Sequence, residues 1–390
     1  MPVTSRPLPS TLAKLADRYD PTVFEPTRGT ARVRLEGAGP EPVDALLDGH
    51  GATLQAASGG RPDALLVADE RTWAEIAQDV RGGMTAFRAG RLRVRHDLHL
   101  GVGFLAATAG SGDGGLRFSN VTTSEGAISI CEAGSGPPVL MLHGLGATKV
   151  SFLPTVAALA DSYRAIAVDL PGFGDSVKPI RAAYDPPYFA RVVRALMDAL
   201  ELDRAHLLGN SMGGRVALEV GLSVPERVHR LGLLAPSLAW LRGRPWAPLL
   251  KLVEPRLGLI QPAPRPVVEA IVRRVVPGAD EEWTAAGIDE FLRSYLTPRG
   301  RAAFYTAARS IYLEEPHGPN GLWTRLPGLQ PPSLWVWGKR DSLVPIAFAE
   351  HVREALPDAE HLELPGGHVP QLENPKRTHA ALARFLAGRD

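Results

Sequence analysis

The stretch Ala205-His-Leu-Leu-Gly-Asn-Ser-Met-Gly-Gly214, followed by the helix-forming run Arg215-Val-Ala-Leu-Glu-Val220, leaves the backbone few choices. An apolar run of strand type meets a helical run with only Gly209-Asn210-Ser211-Met212-Gly213 between them. So sharp a turn puts Ser211 into sparsely populated φ/ψ and needs glycine where helix and strand close on one another. The strain holds the serine hydroxyl out at the top of a sheet. Behind it, the head of the helix offers N–H groups and the positive end of a dipole, which suits an oxyanion. Five-residue patterns also arise by chance, so the rest of the chain decides what this turn means.

At 390 residues the chain is too long for one ordinary core and fits two domains better. Hydrophobic content of 45% with 22% charged residues is globular. A formal charge of +1 gives no reason to expect a nucleic-acid partner. With Cys131 as the single cysteine, an internal disulfide framework is excluded and a thiolate metal site is disfavoured. The start, Met1-Pro-Val-Thr-Ser-Arg-Pro, lacks the apolar core of a signal peptide, and no run approaches the ~20 apolar residues of a membrane span. The expectation is a soluble, cytoplasmic protein without metal or cofactor; its oligomeric state is left open.

In chain order, Thr11–Tyr19 reads as a short amphipathic helix capped at Ser10. Strands are expected at Ala31–Leu35, Gly51–Ala56, Asp63–Ala68 and Leu92–Arg95. After Asp69 as N-cap, Trp73, Ile76, Ala77 and Val80 fall on one helical face. Met84–Phe87 adds a short helix, and Leu98–Ala107 is an apolar closing segment. His96 and His99 form a close pair, but without a neighbouring acid or cysteine cluster they read as surface residues rather than metal ligands.

Ala109-Gly-Ser-Gly-Asp-Gly-Gly115 can hardly pack and reads as a linker, which sets the division 1–108, 109–115 and 116–390. Beyond it strands and helices alternate, as in an α/β layer. Ala127–Cys131, Pro138–Leu142, Ala165–Val168, Ala205–Leu208, Leu231–Ala235, Ser333–Trp337 and His361–Leu364 read as strands. Leu153–Leu159, Tyr188–Leu200 and Lys376–Leu386 read as helices. Residues 238–330 break the alternation and are rich in apolar side chains, among them Trp240, Trp246, Leu249, Leu250, Leu252, Phe291, Tyr295, Phe304 and Tyr305. The segment is too long for one loop and reads as an inserted helical cap.

The N-terminal pattern, above all Leu66-Val-Ala-Asp-Glu-Arg-Thr-Trp73 with Gly82…Ala86-Phe-Arg-Ala-Gly-Arg-Leu92, resembles the sterol carrier protein 2 family over about residues 31–108. That resemblance implies a small α+β fold with an apolar tunnel and a lipid ligand; a plain packing domain is the alternative. In the second part, the Gly-x-Ser-x-Gly turn, the His143-Gly-Leu-Gly146 loop, Asp341 after one late strand and His368 after the next stand in the order Ser…Asp…His. This part resembles the α/β-hydrolase fold superfamily, which implies a mostly parallel sheet with helices on both faces and a helical cap.

What the resemblance implies for the site follows residue by residue. Ser211 is the nucleophile, Asp341 the acid and His368 the base of a triad. The backbone N–H groups of Leu145 and Met212 form the oxyanion hole. Gly144, Gly209, Asn210 and Gly213 support the two turns, and His143 is structural. Asp169, with Asp175, belongs to the turn Asp169-Leu-Pro-Gly-Phe-Gly-Asp-Ser176, and Glu373 fits a surface or supporting place better than that of triad acid. Gly144-x-Gly146-x-x-Lys149 lacks the third glycine of a dinucleotide loop. Serine excludes the branches with an aspartate nucleophile. The elbow looks like that of carbon–carbon hydrolases of meta-cleavage products as well as of esterases. Val369 stands where the former usually carry an aromatic residue. The expected activity is hydrolysis of lipophilic carboxylic esters, as in a carboxylesterase or lipase. The alternatives are carbon–carbon cleavage and a non-catalytic lipid carrier.

Overall fold

The computed structural model describes residues 8–27, 29–79, 83–109, 115–240, 254–275 and 282–388. The chain divides into two compact units, one of Met1–Ser119 with Glu132–Gly134 and Glu269–Glu290, the other of Asn120–Cys131, Ser135–Val268 and Phe291–Asp390. Residues 110–114 of the expected linker lie outside the described residues. So do Val80, Gly82, Trp246, Leu249, Leu250 and Leu252.

The first unit is built on a five-stranded sheet in the order β3-β2-β1-β4-β5. Its strands are β1 (Ala31–Glu36), β2 (Val43–Leu47), β3 (Ala52–Ala56), β4 (Ala64–Val67) and β5 (Arg93–Arg95). Four helices accompany them: α1 (Ser10–Ala16), α2 (Glu70–Ile76), α3 (Met84–Arg88) and α4 (Leu98–Thr108). Helix α1 begins one residue earlier than expected: Pro9 takes the N-cap position, and no side chain caps the helix. The Asp69 cap is present, its carboxylate accepting from Thr72 N at 2.7 Å. Trp73 and Ile76 below it are buried.

Every residue of α4 is buried, in keeping with a composition that is apolar but for His99 and Thr108. His99, expected at the surface, lies inside with it. Its ring packs edge-on against Phe24 at 5.2 Å and Phe118 at 5.0 Å between centroids. The expectation failed because a lone histidine on an otherwise apolar helix follows that helix into the core. His96 sits at φ 75° with Arg61 at 2.9 Å from Nδ1.

Strand β2 was not legible, because a charged residue interrupts its apolar run. Asp44 stands opposite Arg34 in the β1–β2 register. It is fully buried, accepts from Arg34 Nε at 2.8 Å and takes Ser58 N at 2.9 Å.

The second unit carries an eight-stranded sheet in the order β13-β12-β11-β10-β8-β9-β7-β6. Its strands are β6 (Arg117–Thr123), β7 (Gly126–Ala133), β8 (Pro138–Leu142), β9 (Arg164–Val168), β10 (Ala205–Asn210), β11 (Val228–Leu234), β12 (Ser333–Gly338) and β13 (Glu360–Leu364). Pairing is parallel from β9 through β8, β10, β11 and β12 to β13. Helices α5 (Leu153–Leu159), α6 (Pro186–Ala199) and α7 (Met212–Ser223) alternate with the early strands. Between β11 and β12 the chain forms helices α8 (Arg265–Val275), α9 (Glu282–Tyr295), α10 (Pro298–Tyr312) and α11 (Leu322–Arg325), of which residues 269–290 count with the first unit. Helices α12 (Phe348–Ala355), α13 (Pro370–Glu373) and α14 (Pro375–Leu386) complete the chain.

The order explains where a site can form. From β8 the chain moves outward to β9, then returns to the other side of β8 to lay down β10. A crevice opens at such a reversal, outside the carboxyl ends of the strands. The loops there begin at His143 and at Ser211.

The Asp44–Arg34 pair yields a test. Burial works against the Asp44 charge, but Arg34 and Ser58 outweigh it and hold the carboxyl below the ordinary aspartate range. Its contribution is therefore complete above the unfolded value near pH 4 and fades as pH falls through the lower native value. Asp44→Ala leaves Arg34 without its buried partner and should cost about 3–5 kcal/mol in chemical unfolding at neutral pH. The gap to wild type should narrow below about pH 4.

Candidate active site

Strand β10 is buried at every position and ends at Asn210; α7 starts at Met212. Ser211 between them has φ 52° and ψ −114°, a conformation that L residues with a side chain rarely adopt. Surrounding backbone holds it there: Ser211 N donates to Leu234 O, while Ser237 N and Arg215 N donate to Ser211 O, each at 3.0 Å. A Cβ on Gly213 would lie 2.0 Å from Leu142 O, and one on Gly209 would lie 2.3 Å from Gly213 O. Only glycine allows this approach, and it presses the turn against the end of β8.

Beyond β8 the chain enters the loop of His143. Gly144 passes so close to the turn that a Cβ there would lie 3.4 Å from Ser211 Cβ. Leu145 follows, and Ala147 N closes the bend onto Gly144 O at 3.1 Å. Met212 N heads α7, where no intrahelical acceptor exists. His143 is wholly buried, and burial pushes its pKa below the ordinary histidine value. Its Nε2 accepts from Leu170 N at 3.0 Å, so Nδ1 carries the proton and donates to Gly144 O at 2.8 Å. The ring therefore stitches one strand-end loop to the next, in keeping with a structural place.

Asp341 follows β12, and its Oδ1 accepts from Leu343 N at 2.8 Å and Val344 N at 2.9 Å. These bonds aim Oδ2 at His368 Nδ1, 2.8 Å away. The carboxylate is fully buried, whereas the imidazole keeps 19% exposure. Two residues that the sequence reading gave a minor place fix the histidine loop. Glu373 accepts from Gly367 N and from Val369 N, on either side of His368. Asn210 donates through Nδ2 to Leu234 O at 2.9 Å and to His368 O at 3.0 Å, which ties the residue before Ser211 to the backbone of His368. The chain thus brings Ser211, the 143–146 loop, Asp341 and His368 to one end of the sheet.

A charged cluster was not foreseen. Lys149 and Asp169 are wholly buried, with Nζ 2.7 Å from Asp169 Oδ2 and 3.3 Å from Asp175 Oδ2. Lys149 Nζ also reaches Ser129 Oγ at 3.1 Å, and Lys149 N donates to Asp169 Oδ1 at 2.7 Å. Burial alone would lower the lysine pKa, but the two carboxylates outweigh it and hold it above the ordinary value. Asp169 is raised by burial and lowered more strongly by Lys149, so its carboxyl stays below the ordinary range. Both charges persist at neutral pH. Behind the turn, Arg215 on α7 is buried and binds Glu314 with Nε at 2.8 Å and Glu219 with Nη2 at 2.9 Å, while Arg325 Nη2 reaches Glu219 at 2.8 Å.

Aromatic side chains of the cap crowd the loop at Gly146, whose φ is +78°. Phe291 and Phe304 stand 2.9 and 3.2 Å from the place of its absent Cβ. Phe291 stacks on Tyr295 at 4.9 Å, and the Tyr295 and Tyr305 hydroxyls lie 2.6 Å apart. Among the described residues there is no group of three His, Cys, Asp or Glu that could hold a metal ion. Nor, among them, is any helix long and apolar enough to cross a membrane.

Several known proteins are similar to this chain. Over 259 residues the chain is 31% identical to the dihydrolipoyllysine-residue acetyltransferase component of an acetoin cleaving system from Pseudomonas putida. That match covers 64% of this chain, and the chain spans 64% of that protein's length. It is 30% identical over 262 residues to a pimeloyl-[acyl-carrier protein] methyl ester esterase of Aeromonas hydrophila, covering 66% of this chain and 99% of the relative. Among solved structures, a membrane phospholipase A described as a bacterial virulence factor is 29% identical, with a TM-score of 0.57 over 70% of this chain and 86% of that one. Residues 11–105 match the SCP-2 sterol transfer family. Residues 137–375 match the alpha/beta hydrolase fold, and the chain belongs to that family.

Proposed function

We propose that the chain is a serine hydrolase of lipophilic carboxylic esters, with Ser211 as nucleophile, His368 as base and Asp341 as the group that orients it. The observation that carries this reading is the buried Asp341 carboxylate, held by two backbone N–H groups and aimed at His368 Nδ1, with the His368 carbonyl tied to the residue before Ser211. A carboxylate at Nδ1 keeps that nitrogen protonated and leaves the Nε2 lone pair for the serine proton. Ser211 Oγ then adds to the ester carbonyl as its proton passes to Nε2. The tetrahedral oxyanion sits at the N–H groups of Leu145 and Met212. Each such donor contributes about 3–4 kcal/mol to the transition state. Collapse expels the alcohol, which takes the proton from His368 and leaves acyl-Ser211. Water, deprotonated by the same imidazole, releases the acid and restores the serine.

Support for a lipophilic substrate comes from the apolar wall of Phe291, Phe304 and Tyr295 beside the oxyanion loop. The similarity to a methyl ester esterase and to a phospholipase points the same way. Val369, in place of an aromatic residue after the histidine, favours esters over carbon–carbon cleavage. For the first unit, the SCP-2 match supports a carrier of acyl or sterol-like ligands that feeds or senses the hydrolase.

Three measurements follow. Para-nitrophenyl esters of increasing acyl length should be hydrolysed, with activity abolished in Ser211→Ala and Ser211 labelled by a fluorophosphonate. No activity at any length with Ser211 unlabelled would overturn the reading, and consumption of a dienoate chromophore in its place would select carbon–carbon cleavage. Asp341→Asn should lower kcat by about 10³–10⁴-fold, since the imidazole loses its orienting charge. A fluorescent long-chain fatty acid should bind saturably to the full chain after Ser211 has been blocked by a fluorophosphonate. Absence of saturable binding would remove the carrier role from the first unit.

A further inference from the structure

Helix α9 meets the loop of residues 143–149 at two separate points. The first is steric: Phe291 lies against Gly146, 2.9 Å from where a Cβ would stand. The second is electrostatic. Arg293 forks onto Asp175, Nη1 to Oδ1 at 2.7 Å and Nη2 to Oδ2 at 3.1 Å. Asp175 N donates to Asp169 Oδ2 at 2.9 Å, and both carboxylates face Lys149 Nζ. Lys149 in turn ends the loop, its backbone N bound to Asp169 Oδ1 at 2.7 Å. Leu145 sits between the residue that passes Ser211 and the residue under Phe291, so its amide moves with whatever moves these anchors.

The charges explain why Arg293 matters. Lys149 and Asp169 have no exposed side-chain surface, Asp175 keeps 9% and Arg293 20%. Within this space two carboxylates face Lys149, Lys178 lies within electrostatic reach of both, and Arg293 is the cation bound to Asp175 by two hydrogen bonds. Lys178, the other cation nearby, donates to the carbonyls of Gly174 and Ser176. Without Arg293, Asp175 loses its two-pronged partner while Asp169 stays close, so Lys149 and Lys178 offset the repulsion between the two carboxylates less fully. The relief open to Asp175 is to move outward, which withdraws it from Lys149 and slackens the end of the loop.

We propose that Arg293 and Asp175 are positioning residues for the oxyanion loop: the cap helix, acting through Asp175 and Lys149, holds the Leu145 amide where the transition state needs it. This rests on the serine-hydrolase reading. Both side chains are engaged with each other and with the Lys149 cluster, so substrate binding should be spared while turnover suffers. Displacements of about 1 Å at such a donor cost on the order of a hundredfold in rate.

The test uses the full chain with a medium-length para-nitrophenyl ester. Arg293→Met should lower kcat by about tenfold to a hundredfold with KM nearly unchanged, at a temperature where its unfolding curve shows the variant still folded. Arg293→Lys should recover part of the loss, because it restores the charge on Asp175 but not the two-pronged contact. Asp175→Asn, a second variant at the other end of the pair, should lower kcat in the same way. A wild-type kcat in Arg293→Met, a loss confined to KM, or an Arg293→Lys variant as slow as Arg293→Met would each overturn the proposal. Ser211→Ala in the same assay separates the two readings: if it abolishes hydrolysis while Arg293→Met does not, only the positioning role fails. A wild-type chain that hydrolyses no ester would remove both.

Discussion

Everything at the candidate site depends on one close approach of backbone to backbone, where the turn after β10 lies against the end of β8. Gly213 stands so near Leu142 O that no side chain fits. The approach sets Gly144 beside Ser211 and forces Ser211 to φ 52°. A residue in such a region stores about 1–3 kcal/mol and persists only where its surroundings over-determine it. Here those surroundings are three backbone hydrogen bonds to Ser211 and the parallel pairing of β10 with β8 and β11. The buried Arg215 network anchors α7 behind them.

Buried charge recurs in this chain, in the Arg34–Asp44 pair, the Arg215–Glu219–Glu314 network and the Lys149–Asp169–Asp175–Arg293 cluster. Desolvation cancels much of the Coulombic gain in such groups, so they are poor sources of net stability. Their physical value is directional: a bidentate arginine or a lysine between two carboxylates tolerates few geometries. Two of the three adjoin the strand-end loops that carry Ser211 and Leu145.

Much of the site was legible because its chemistry needs particular residue types in a particular order. Glycine at 209 and 213, serine at 211, aspartate after β12 and histidine after β13 each follow from local backbone or acid–base demands. The central strands of the parallel sheet, such as Pro138–Leu142, were legible as continuous apolar runs, whereas β13, with Glu363 in it, was legible only by its place before Pro365-Gly-Gly-His368. Strand β2 was not, since Asp44 breaks its pattern and its partner Arg34 lies on another strand. His99 misled because polarity alone does not tell a surface histidine from one packed between aromatic rings. The bond from Asn210 to His368 and the cluster around Lys149 join residues far apart in the chain, so no local pattern announces them.

The central claim is a covalent acyl intermediate on Ser211. Rapid quenching of the full chain with a medium-length para-nitrophenyl ester, followed by peptide mass analysis, tests it most directly. A serine nucleophile should give a burst of nitrophenol close to one equivalent and an acyl mass increment on the peptide that contains Ser211. An unmodified Ser211 peptide throughout turnover, or an acyl group found on another residue, would contradict it.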